Sequence, residues 1–101
     1  MFPGTVKAWH RHFKQTDWAC IVKGNAILGL ATESGEVQKI FLGEQNPIMI
    51  KIPPGIWHGY KALGDKEAII VYITNQNYDA KDELRKEHTA FGKDFWELEV
   101  K

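Results

Sequence analysis

Cysteine is nearly missing from this chain. Cys20 stands alone, so no internal disulfide can form and the chain suits a reducing cytoplasm. Set within an apolar run, Cys20 reads as a filler residue and not as a nucleophile. Net charge is missing as well: thirteen Lys and Arg cancel thirteen Asp and Glu, which leaves no global field to attract nucleic acid or an anionic membrane. A sugar or another small molecule is the better ligand class. No stretch approaches the ~20 apolar residues of a membrane span. Residues 1–4 show no charged region leading into an apolar run, hence no visible signal peptide. Repeats and low-complexity segments are likewise lacking.

What is present is core-forming material. Hydrophobic residues make up 44% and aromatics 12% of 101 residues, enough for one domain over residues 1–101 with its own core. Short apolar runs alternate with turn signals about every ten residues, the pattern of an all-β sandwich or barrel. The spacing predicts strands over 6–12, 17–23, 26–31, 37–42, 48–52, 56–62 and 67–74. Seven or eight short strands favour a small all-β jelly-roll barrel, whose interior is part core and part ligand cavity. From Asn75 onward the pattern lapses into a short polar C-terminal segment. Residues 79–88 read as a solvated surface with a helical turn or two. Phe91, Phe95, Trp96, Leu98 and Val100 give the tail an apolar set that packs back on the barrel or adds an edge strand. A barrel this short leaves sheet edges bare, and a twofold homodimer is the expected closure.

Two stretches carry the chemistry. His10 and His12 alternate on a predicted strand and share a face with Ala8, while Lys7, Trp9 and Arg11 take the other. Adjacent imidazoles can ligate a metal, or one can act as a base while the other positions it. Asp17 follows five residues later. Downstream, Ile52-Pro53-Pro54-Gly55-Ile56-Trp57-His58-Gly59 is a turn that leads straight into a third histidine. Both stretches are expected on facing strands around one pocket. His88 falls in the charged segment and reads as surface. Trp9, Trp18, Trp57 and Trp96 are read as buried in the core or an interface.

The spacing of Gly4, His10, His12, Asp17 and Gly24 resembles the first cupin motif, with Asp in place of the usual Glu. Pro53-Pro54-Gly55-Ile56-Trp57-His58 resembles the second, with Ala62 where Asn is usual. Within cupins the chain is most similar to the dTDP-4-dehydrorhamnose 3,5-epimerase family. Residues 7–12 are similar to that family's Arg-Gly-Leu-His-Tyr-Gln, and residues 15–24 resemble its Gln-x-Lys strand. Residues 53–60 match its Pro-x-Gly-x-x-His-Gly-Phe, 71–78 its Leu-Tyr-Lys-x-Thr-Asp-Tyr-Tyr, and 94–98 its Asp-Trp-Pro-Leu. The resemblance implies proton removal α to the ketone of a dTDP-4-keto-6-deoxy sugar, with no cofactor. In it His10 is the base, Tyr72 the acid on the opposite face, and Lys7, His12, Gln15 and His58 hold the nucleotide-sugar.

Some positions depart from that family. Its base is oriented by an Asp that would fall past residue 101, so His10 is expected to lose its usual partner and, with it, a fixed tautomer. Asp17 replaces a Lys that could steady an oxyanion. Lys7 replaces an Arg, a poorer phosphate clamp, and reaches the His10 side only through a twist or bulge. Two other readings therefore stand beside the epimerase. One is a metal cupin in which His10, His12, Asp17 and His58 hold one divalent transition metal, Zn²⁺, Mn²⁺, Fe²⁺ or Ni²⁺. The other is a non-catalytic sugar-binding barrel.

Overall fold

The computed structural model describes residues 2, 4–46, 48–76, 80–92 and 94–97. It is all-β apart from one 3-10 turn. The strands are β1 (Val6–His12), β2 (Asp17–Lys23), β3 (Asn25–Ala31), β4 (Val37–Gly43), β5 (Ile50–Ile52), β6 (Trp57–Leu63), β7 (Ile69–Thr74) and β8 (Glu83–Arg85). All seven predicted strands form. β1 and β2 match their predicted limits, and the others shift by a residue or two, where turns and not apolar periodicity set the ends. Two antiparallel sheets face each other, one of order β4-β3-β6-β1-β8 and one of order β5-β2-β7. No helix among the described residues is long and apolar enough to cross a membrane.

Alternation along the strands makes two cores. Ala26 and Leu28 of β3, Tyr60 and Ala62 of β6, Ala19 and Ile21 of β2, and Ile52 of β5 meet between the sheets. The intervening residues Ile27, Ala31 and Trp57 face the other way and join Trp9, Phe95 and Trp96 on the back of the large sheet. Gly29 and Gly59 are opposite one another in the β3–β6 ladder. A Cβ at Gly29 would lie 2.7 Å from the rings of Phe95 and Trp96, so the glycine keeps open the lane in which those rings lie. The tail is pinned there by one acceptor: the His88 carbonyl receives the indole N–H of both Trp9 and Trp96, each at 3.1 Å. It thus packs back on the barrel, as expected for Phe91, Phe95 and Trp96. Leu98 and Val100 lie outside the described residues, as do Tyr78 and Asp79.

The charged segment departs from the expected solvated surface. Ala80–Asp82 is a 3-10 turn, and Glu83–Arg85 pairs with β1 at the sheet edge. Asp82 is buried, and its carboxylate accepts the backbone N–H groups of Phe13, Lys14 and Gln15 at 3.1, 2.8 and 3.1 Å. Charge composition concealed this, because an acid with three N–H donors is buried at little cost. His88 is exposed, as expected.

Candidate active site

Between the sheets, at the end away from the packed core, lies an open cavity of about 310 Å3. The large sheet supplies Lys7, His10 and His12 from β1, His58 and Tyr60 from β6, and Glu83 from β8. The small sheet supplies Asp17, Tyr72 and Thr74, and the β1–β2 loop supplies Gln15. All the sequence-predicted site residues thus come together. His58 arrives because the Pro53-Pro54-Gly55 turn is tied to β1, Gly55 N–H donating to the His12 carbonyl at 2.9 Å. In the ladder His10 sits opposite His58.

Strict alternation fails at one place in β1. The pairing with β6 slips between Ala8 and His10, so Ala8 and Trp9 both turn to the aromatic cluster on the back of the sheet. This bulge moves Lys7 onto the cavity side with His10, away from Trp9 and Arg11. Arg11 stays outside, its guanidinium 5.3 Å from the Trp57 ring and hydrogen-bonded to Glu33.

His10 does not lack a carboxylate. Its Nδ1–H donates to Glu83 Oε1 at 2.9 Å, so the ring, expected to be unoriented, is oriented by a different acid. Burial works against a charged Glu83, but hydrogen bonds from Arg85 and His10 prevail and hold its carboxyl below the usual range. An ionised Glu83 fixes the proton on Nδ1 and leaves the Nε2 lone pair of His10 free to face the cavity.

His12, Asp17 and His58 form a tighter group. One ligand atom from each lies within 4.8 Å of the other two, with Asp17 Oδ2 3.7 Å from His12 Nε2 and 3.6 Å from His58 Nε2. The two imidazoles stack 5.6 Å apart, and Gln15 donates its amide to Asp17 Oδ1. His10 stands outside this group, so the four-residue ligand set read from the sequence contracts to three among the described residues.

His58 Nδ1–H donates to the Ile56 carbonyl at 3.3 Å, and burial pulls its pKa down from 6.5 to about 4. The folded chain therefore binds this proton only near pH 4, whereas the unfolded chain takes it up near pH 6.5. Stability is complete above pH 6.5 and falls as the pH drops toward 4, by about 3 kcal/mol from this group. Urea unfolding across that window is expected to show this slope, and His58→Gln to flatten it. An unchanged slope in the variant would mean that another group titrates there.

Tyr60 and Tyr72 face one another edge-on, ring centroids 5.3 Å apart. Tyr72, on the edge strand β7, keeps 44% of its surface open, yet burial of its phenol pushes the pKa up to about 12. Burial drives the Tyr60 phenol higher still, with Tyr72 adding to it. Both are neutral donors at pH 7.

Glu83, Tyr60 and Thr74 were not singled out by sequence reasoning. Tyr60 carried a signal, since it lies two residues beyond His58 on the same strand face. Glu83 carried none: it meets His10 across 73 positions of sequence.

The chain can now be set beside known proteins. A probable low-salt glycan biosynthesis epimerase of Haloferax volcanii is 35% identical over 88 residues, which cover 80% of this chain and 56% of that protein. The chain thus spans little more than half the length of that curated relative. A solved dTDP sugar isomerase from Desulfovibrio desulfuricans is 28% identical, with a TM-score of 0.84 over 89% of this chain and 62% of the other. The dTDP-4-dehydrorhamnose 3,5-epimerase of Elizabethkingia anophelis shares the fold at 16% identity, with a TM-score of 0.85 over 98% of this chain and 59% of the other. The polysaccharide biosynthesis C-terminal domain family matches residues 1–84, and to that family, in the cupin fold of the 3,5-epimerases, this chain belongs.

Proposed function

We propose that the chain is a sugar-nucleotide epimerase acting on a dTDP-4-keto-6-deoxy sugar. One observation carries this reading: a histidine oriented by a carboxylate on one sheet and a phenol on the other line the same cavity. In the reaction His10 Nε2 takes the proton α to the ketone. The C–H electron pair becomes the enolate double bond, and charge collects on the carbonyl oxygen. Tyr72 returns a proton to the carbon from the opposite side. Lys7, at the cavity rim, meets the diphosphate, and His12, Gln15 and His58 hold the sugar. A cavity near 300 Å3 is at the small end of ligand sites, which suits a hexose ring with its nucleotide outside. The similarity to a glycan biosynthesis epimerase and a dTDP sugar isomerase supports the substrate class. The test is incorporation of solvent deuterium into a dTDP-4-keto-6-deoxyhexose, followed by NMR. Binding without exchange would favour the sugar-binding barrel instead.

A metal-dependent reading keeps one observation of its own, the convergence of His12, Asp17 and His58. Two imidazoles and a carboxylate fit a divalent transition metal, which would polarise a carbonyl. Metal analysis of the purified chain decides this: stoichiometric metal that His12→Ala abolishes supports it, and metal-free, active protein removes it.

The homodimer is proposed to form through the outer face of the small sheet. Trp18 pairs with Ile73, and Cys20 with Val71. With Val22 and Ile69, which are exposed, they make an apolar surface, edged by Lys51 beside Trp18, that can meet its own copy. Light scattering is expected to show a dimer for the wild type and a monomer for Val71→Glu. A wild-type monomer would overturn the assignment.

A further inference from the structure

The Tyr60 side chain is almost fully buried, with 3% of the residue exposed. Its ring belongs to the core between the sheets, and the residue is one of those that line the cavity. That hydroxyl makes no hydrogen bond of full geometry among the described residues, and the Tyr72 hydroxyl beside it is at most a loose partner. Buried hydroxyls are nearly always bonded, and an orphan points to a missing partner. Packing does not explain it, because phenylalanine would fill the same core position.

The rest of the cavity narrows what the partner is. Most other donors near the base are engaged: His10 Nδ1–H with Glu83, His58 Nδ1–H with Ile56, the Gln15 amide with Asp17 and the Thr74 hydroxyl with the Gln76 carbonyl; His12 Nδ1, also unbonded, is turned toward Asp82, 4.0 Å away. Asp17 adds negative charge where an enolate would form, and Lys7 is the only cation among the described lining residues, out at the exposed rim. With Tyr72 assigned as the acid, Tyr60 is the neutral donor of this wall that the mechanism has not used.

We infer that the Tyr60 hydroxyl is a catalytic hydrogen-bond donor that holds the sugar carbonyl oxygen as it becomes the enolate oxygen. This rests on the epimerase reading above. No proton leaves Tyr60: the hydrogen bond shortens as charge builds on the oxygen and relaxes when Tyr72 protonates the carbon. Such a donor favours the transition state over the bound ketone, so its loss falls on kcat.

The experiment compares wild type and Tyr60→Phe in deuterium exchange with a dTDP-4-keto-6-deoxyhexose, alongside thermal unfolding of both. The expected result is a kcat lowered by about 10²-fold, a KM within about threefold, and a Tm unchanged or raised because an unbonded hydroxyl has been removed. Exchange in Tyr60→Phe within twofold of wild type would overturn this inference and leave the epimerase reading standing. A Tm lowered by several degrees would also overturn it, by showing that the hydroxyl is bonded within the fold. A wild-type chain that binds the sugar and exchanges no deuterium would overturn both.

Discussion

His10→Ala is expected to slow deuterium incorporation into a dTDP-4-keto-6-deoxyhexose by about 10³-fold, the usual weight of a positioned general base. The alanine removes no packing of consequence, because the His10 ring borders the open cavity, so Tm should hold. Glu83→Gln separates the base from its orientation. Glutamine keeps the size of Glu83 but can present its amide N–H₂ to Nδ1, which permits the proton to move to Nε2 and blocks the lone pair. A loss of about 10²-fold in kcat with KM little changed is expected. Glu83→Asp should restore part of the rate if the carboxylate reaches Nδ1. An unchanged rate in His10→Ala would remove His10 as the base. An unchanged rate in Glu83→Gln would reduce the ion pair at 2.9 Å to a structural contact.

That pair also marks the limit of what local sequence can reveal. β1 and β2 were legible to the residue because apolar alternation runs between two turn glycines, and a period of two needs no tertiary information. His58 was legible because a Pro-Pro-Gly turn fixes where the next strand starts. The Lys7 side was not, since the slip between Ala8 and His10 follows from how β6 meets β1. Glu83 was hidden for a related reason. Three residues are too few to show alternation, and Glu83, Leu84 and Arg85 become a strand only because β1 offers them an edge. Motif spacing ties the orientation of His10 to one particular acid at a fixed place along a chain. A different one, on a neighbouring strand, performs the same orienting task, so the doubt attached to His10 came from connectivity and not from chemistry.

Asp82, next to that glutamate, is where the largest change in stability is expected. Its Oδ1 accepts from Phe13 and Lys14 and its Oδ2 from Gln15, so one carboxylate closes the turn between β1 and β2. It also lies beside His12, Oδ2 to Nδ1 at 4.0 Å. Hydrogen bonds to a charged acceptor contribute about 1.5–3 kcal/mol each when isolated, and removing the acceptor leaves three donors partly cut off from water. Their sum is not additive, because the freed turn can relax toward solvent. Asp82→Ala is therefore expected to cost about 4 kcal/mol in urea unfolding. In Asp82→Asn the amide carbonyl can take the Oδ1 position and keep Phe13 and Lys14, while its N–H₂ confronts the Gln15 N–H, for a cost of about 2 kcal/mol. The order of the two variants is the diagnostic. If the site acts only through its negative charge, Asn and Ala should be equally damaging. If directional acceptance holds the turn, Asn should fall about midway between Ala and wild type. Both variants lying within about 0.5 kcal/mol of wild type would show that the turn holds itself. The consequence reaches the cavity, because the turn that Asp82 closes carries Gln15 and sets where Asp17 begins β2. Loosening it should weaken sugar binding in Asp82→Ala even under conditions where the chain remains folded.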